Sequence, residues 1–92
     1  MTYTIGLDLG KAHDPSALAI LEHQGGRSDA VDIRRWSLGT PYPQIVADVE
    51  QLRLLPALTD AHLVIDGTGV GRGVVDMFRA GGARRIVPVL IT

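Results

Sequence analysis

Apolar side chains at Ile5, Leu7 and Leu9 alternate with Thr4, Gly6 and Asp8. A period of two is that of a strand with one buried face, and it predicts a first strand over 3–9. The stretch from Gly10 to Ser16 reads as a turn, and residues 17–23 as a second strand. Gly25-Gly26 followed by polar Arg27-Ser28-Asp29 is a hairpin-like break before a third strand at 31–38. After Pro41 and Pro43 the spacing changes to Ile45, Val49 and Leu52 with polar residues between, a helix opened by proline and closed at Pro56. A fourth strand is predicted over 62–66. Val74, Val75 and Phe78 share one side of a second helix, which Gly81-Gly82 stops. Residues 85–91 form the fifth strand, and Pro88 within it removes a ladder donor, which places it at a sheet edge.

The order strand, strand, strand, helix, strand, helix, strand predicts a single α/β domain over 1–92 with a mixed sheet. An antiparallel meander for the first three strands, followed by right-handed crossovers through the two helices, gives the sheet order 3-2-1-4-5. Strands one and four are then parallel neighbours. Both crossovers run the same way across the sheet, so both helices fall on one face and the other is left uncovered. Strands four and five nevertheless carry apolar residues on both sides, in Leu63-Val-Ile65, Ile86-Val87 and Val89-Leu-Ile91. That pattern marks burial from both faces. The expectation is that a further segment beyond Thr92, or a second copy in a homo-oligomer, supplies the missing cover.

Composition narrows the picture in three ways. With 46% hydrophobic and 21% charged residues the chain is globular rather than disordered. A net charge of -1 gives no global signature for nucleic acid, although Arg34-Arg35 and Arg84-Arg85 are paired. The absence of cysteine excludes disulfides and thiolate metal sites. No signal-peptide pattern or apolar run of membrane-spanning length is present. A cytoplasmic protein with no membrane partner is the expectation.

Asp8 and Asp66 carry the candidate chemistry, since each ends an apolar run and is followed within two residues by glycine. On neighbouring parallel strands ~4.8 Å apart, both carboxylates could touch one cation or a close pair. The alternative is two turn aspartates, common where a strand gives way to glycine. Asp14 is either a third ligand or an Asx-turn residue before Pro15. Lys11 is either a phosphate contact or a solvated turn lysine. The segment from Gly67 to Gly73, with Gly69, Gly71 and Arg72, could receive a phosphate oxygen at a helix start or simply form a tight turn. It lacks the spacing of a dinucleotide fingerprint. Trp36 and Tyr42 are too sparse for a base-stacking platform and read as packing residues.

The element order and the two strand-end aspartates resemble the ribonuclease H-like superfamily of nucleases. Gly6-Leu-Asp-Leu-Gly10, Asp14-Pro-Ser-Ala-Leu18, Val64-Ile-Asp-Gly-Thr-Gly-Val-Gly71 and Ile86-Val-Pro-Val-Leu90 look like the nuclease domain of phage large terminase subunits. The resemblance runs from about residue 3 to the last residue. It implies a metal-dependent endonuclease that cuts concatemeric viral double-stranded DNA during packaging, with Asp8 and Asp66 as catalytic carboxylates. Mg²⁺ or Mn²⁺ would be the cofactor, as hard oxygen ligands prefer. It further implies a terminase motor domain or other packaging components as partners, in the cytoplasm of a host cell. The family carries another acidic residue after the fifth strand, which this chain lacks, so a C-terminally truncated domain with weak or absent cleavage is expected.

Two other classes fit parts of the sequence. An ATPase or sugar kinase of the actin-like superfamily shares the topology and the glycine-flanked aspartate, but closes two lobes around its nucleotide. A non-catalytic assembly module would keep the fold and meet a partner through the uncovered sheet face.

Overall fold

The computed structural model describes residues 1–11 and 13–89. Five strands and two helices follow one another as β1 (Thr2–Asp8), β2 (Ala17–Gln24), β3 (Arg27–Arg35), α1 (Tyr42–Leu52), β4 (His62–Asp66), α2 (Val70–Ala80) and β5 (Ile86–Val89). The strands form one mixed sheet in the order β3-β2-β1-β4-β5, as the crossover argument predicts. β1 is antiparallel to β2 and parallel to β4, and β5 continues the parallel side. Pro88 lies in β5, the edge strand, where a missing donor faces no neighbour. Residues 90 and 91 of the expected fifth strand lie outside the described residues.

Period-two burial in β1, β2 and β4 directs Ile5, Leu7, Leu18, Ile20, Leu63 and Ile65 to one side of the sheet. α1 covers that side with Ile45, Val46, Val49 and Leu52, spaced along one helical stripe. α2 adds Val74, Val75 and Phe78, and all of these residues belong to one continuous core. α2 stops in a Schellman turn: Gly82, at φ 84°, donates to Arg79 O, and Ala83 donates to Phe78 O at 3.0 Å. Arg53 ties the end of α1 to its surroundings by donating from Nη2 to Ala61 O at 3.0 Å and Arg84 O at 2.7 Å.

The opposite side of the sheet carries a row set by the strand registers, Ile33, Ala19, Gly6, Val64 and Val87. Among the described residues no helix covers it. Ile33 is 67% exposed, and Val87 and Val89 are about two-fifths exposed. Apolar side chains therefore face outward on both edge strands.

Two local expectations need correction. β3 begins at Arg27 rather than 31 and ends at Arg35 rather than 38, because the hairpin turn is only Gly25-Gly26. Both glycines have positive φ, 59° and 79°, the conformation of the tightest hairpin connection. The polar run Arg27-Ser28-Asp29 can pair because an edge strand is solvated and does not need an apolar face. α2 begins at Val70, so Gly71, Arg72 and Gly73 lie in its first turns rather than in a loop. A short 3₁₀ turn at Pro56–Leu58, too brief to show helical periodicity, buries Leu58.

Candidate functional site

Asp8 is the last residue of β1 and Asp66 the last of β4. The parallel register pairs Leu7 with Ile65, so the next residue on each strand is a carboxylate, on adjacent strands and on the face away from the helices. The chain leaves β1 toward β2 and β3 on one side and resumes with β4 and β5 on the other. The two aspartates therefore stand at the carboxyl ends of the strands where the direction of winding reverses, the position at which open α/β sheets bind ligands. Both are exposed.

Asp66 is held as the anion. Its Oδ1 accepts the Thr68 N–H at 2.9 Å. That backbone bond is the main cause of a carboxyl pKa below the usual value; a side-chain bond with Thr68 and the charge of Lys11 act in the same direction. The same geometry is an Asx-type turn, so Asp66 serves the chain's local structure as well as presenting charge. Lys11 is thus near enough to Asp66 to be felt electrostatically.

Asp14 sits in the turn between β1 and β2, where its N–H donates to Lys11 O at 2.9 Å. With Lys11, Ser16, Ser37, Thr40 and Tyr42 it lines a small hollow of about 170 Å³. Among the described residues, no group of three or more His, Cys, Asp or Glu side chains lies close enough together to hold a metal ion. Asp14 accordingly does not complete a three-carboxylate cluster with Asp8 and Asp66. Two exposed carboxylates are nonetheless a fitting donor set for Mg²⁺ or Mn²⁺, which bind through one or two carboxylates and keep water or phosphate oxygens as their other ligands.

Gly69 caps the start of α2 at φ 61°. The amides of Gly71 and Arg72 donate to Thr68 O and Gly69 O, both at 3.2 Å, so they close the first helical turn. Gly71 is buried against β4, where a Cβ would fall 1.6 Å from Asp66 O. Its lack of a side chain lets the helix approach the strand that bears Asp66. Arg72 is exposed and, with Gly67, Arg79 and Pro88, lines a hollow of about 230 Å³ beside the end of β4.

Two residues that periodicity left aside are built into this end of the sheet. Ser16 is buried, and its Oγ accepts the Gly10 N–H at 2.9 Å. Tyr42, the first residue of α1, donates its hydroxyl to Gly10 O at 2.8 Å. The sequence signal for Tyr42 is only that a phenol near a core seeks a polar partner. Nothing local reveals which partner.

The fold and the strand-end placement define a ribonuclease H-like α/β domain. A counterpart among solved structures is the large terminase of a thermophilic bacteriophage, with a TM-score of 0.78 over 99% of this chain and 10% sequence identity. The chain has a terminase-like fold and spans 23% of the length of that protein. No protein-family model matches the sequence, and no curated protein does. No helix among the described residues is long and apolar enough to cross a membrane.

Proposed function

We propose that this chain is a metal-dependent DNA endonuclease domain of the large-terminase type, acting on double-stranded viral DNA alongside a motor domain or other packaging components. The observation that carries this reading is the pair Asp8 and Asp66 on adjacent parallel strand ends at the switch point of a terminase-like sheet. Asp8 and Asp66 would hold Mg²⁺ or Mn²⁺, which in phosphodiester cleavage supplies an activated hydroxide and stabilises the leaving oxygen. Lys11, whose charge acts on Asp66, and Arg72, in the hollow beside Gly67, would supply cations for backbone phosphates. The start of α2, with Gly69 and Gly71, adds a helix N-terminus beside the same strand end. Asp14 is at most an outer, water-mediated ligand in this reading.

Calorimetric titration with Mn²⁺ of the wild-type chain, Asp8→Asn and Asp66→Asn tests this. Binding by the wild type that either substitution abolishes is the expected result. No binding by the wild type, or binding indifferent to both substitutions, would overturn the metal assignment.

A second reading is favoured by the outward-facing Ile33, Val87 and Val89: a non-catalytic assembly module that pairs with a second copy through the uncovered face. Sedimentation distinguishes it. A dimer that Val89→Asp dissociates supports it, and a monodisperse monomer removes it.

A further inference from the structure

We propose that Ser16 and Tyr42 form a clamp on Gly10 that positions the turn carrying Lys11 and Asp14 against the Asp8 end of β1. The inference rests on the metal reading above for its functional meaning, while the clamp itself stands on hydrogen-bond geometry.

Gly10 lies two residues beyond Asp8 and immediately before Lys11. Its N–H and its carbonyl are both taken by side chains, from Ser16 Oγ at 2.9 Å and Tyr42 Oη at 2.8 Å. The turn also folds back on its α-carbon so tightly that a Cβ would fall 1.9 Å from Asp14 O and 2.6 Å from the carbonyl carbon of Pro15. Gly10 is thus gripped at both peptide groups and packed against the far limb of its own turn. Eight residues, 9–16, lie between β1 and β2. The Asp14 N–H to Lys11 O bond closes its tip.

The anchors of the clamp are rigid. Ser16 precedes β2, is only 6% exposed, and its carbonyl accepts the Trp36 N–H at 3.0 Å, which joins it to the end of β3. A buried hydroxyl is costly unless it is hydrogen-bonded, so its bond to Gly10 is selected by the desolvation it would otherwise leave unrepaid. Tyr42 is held by α1, whose Ile45, Val46 and Val49 are buried in the core. The turn is thereby referenced to β2, β3 and α1 together. Outer partners of a metal site change its affinity without touching the metal, by about 10- to 100-fold when removed, and Asp14, the outer, water-mediated ligand of this reading, rides on the clamped turn. Ser16 and Tyr42 are positioning residues in this sense.

The test compares Tyr42→Phe and Ser16→Ala with Trp36→Phe. The last removes the Trp36 Nε1 to Asp48 Oδ2 bond of 2.8 Å at the same corner of the fold and leaves Gly10 untouched. Mn²⁺ affinity by calorimetry and thermal stability are measured on each full chain. About tenfold weaker Mn²⁺ binding in the two clamp variants, with wild-type affinity in Trp36→Phe at a similar loss of thermal stability, is the expected result. Wild-type affinity in Tyr42→Phe and Ser16→Ala overturns the positioning role. A wild-type chain that takes up no Mn²⁺ overturns the metal assignment, and with it the functional meaning of the clamp. Amide hydrogen exchange at Gly10 then judges the clamp itself: slow exchange that Ser16→Ala and Tyr42→Phe both accelerate, and Trp36→Phe does not, supports it. Exchange at Gly10 as fast as in the Gly25-Gly26 hairpin turn of the wild type overturns it.

Discussion

Substituting alanine at Gly71 and at Gly73 should move stability in opposite directions, although the two glycines lie two residues apart in the same helix. A Cβ on Gly71 would stand 1.6 Å from the Asp66 carbonyl oxygen and 2.7 Å from its carbon, and real Cβ atoms essentially never come within 3.0 Å. The first turn of α2 must therefore back away from β4 by about 1.4 Å, a shift that a close-packed interface resists. Val74, Val75 and Phe78 lie on the same stripe and would be lifted with it. Forced shifts of this kind cost about 1–3 kcal/mol, from which the better helix propensity of alanine recovers at most about 1 kcal/mol. At Gly73 a Cβ meets nothing within 4 Å, so only the propensity term remains. Gly73→Ala should gain about 0.5–1 kcal/mol. The propensity gain is common to both, so the variants differ by the strain of about 1–3 kcal/mol, and at 4–8 °C per kcal/mol for a domain of this size their Tm values should differ by roughly 4–24 °C. Thermal unfolding followed by circular dichroism measures this directly. A Gly71→Ala chain as stable as Gly73→Ala would refute the close approach of α2 to Asp66 O.

Phe78→Ala removes the largest fully buried side chain, at a cost of about 3–5 kcal/mol. A domain this small has only about 5–15 kcal/mol in total, so urea titration should find the unfolding midpoint of the variant markedly lowered at an unchanged slope. Asp66 contributes to stability in a pH-dependent way. Its folded pKa lies below its unfolded one, so the contribution is present above the unfolded value, near 4, and is lost as pH falls through the folded value. Asp66→Asn should therefore flatten the acid limb of a stability profile below about pH 4, and an unchanged limb would contradict the Thr68 bond as its cause. Arg53→Lys keeps the charge but loses the longer, planar side chain that places Nη2 between Ala61 O and Arg84 O, and should cost about 1–2 kcal/mol by chemical denaturation.

Much of the architecture was legible one element at a time. β4 coincides with its predicted span of 62–66 because a short apolar run bounded by a polar residue and a glycine has few other solutions. α1 and α2 follow from apolar spacing and from their proline and glycine ends. The sheet order followed from an antiparallel meander of the first three strands together with the handedness of the two crossovers. β3 was legible only in part. An edge strand solvated on both faces has no periodic pattern to show, and its start was decided by the two-residue turn at Gly25-Gly26.

What the amino-acid sequence alone determined is local: which stretches bury one face, where chain direction must break, and that two aspartates end apolar strands. The tertiary structure decided what those residues meet. The register of β1 on β4 brings Asp8 and Asp66 to adjacent strand ends. Folding back the β1–β2 turn places Ser16 on Gly10, and α1 carries the Tyr42 hydroxyl across 32 residues to the same glycine. The close seat of Gly71 on Asp66 O likewise exists only once α2 has packed against the sheet. Periodicity reports how much of a residue is exposed, and exposure is a property of one element. Contacts between elements depend on register and docking, which are fixed when separate apolar faces combine into one core.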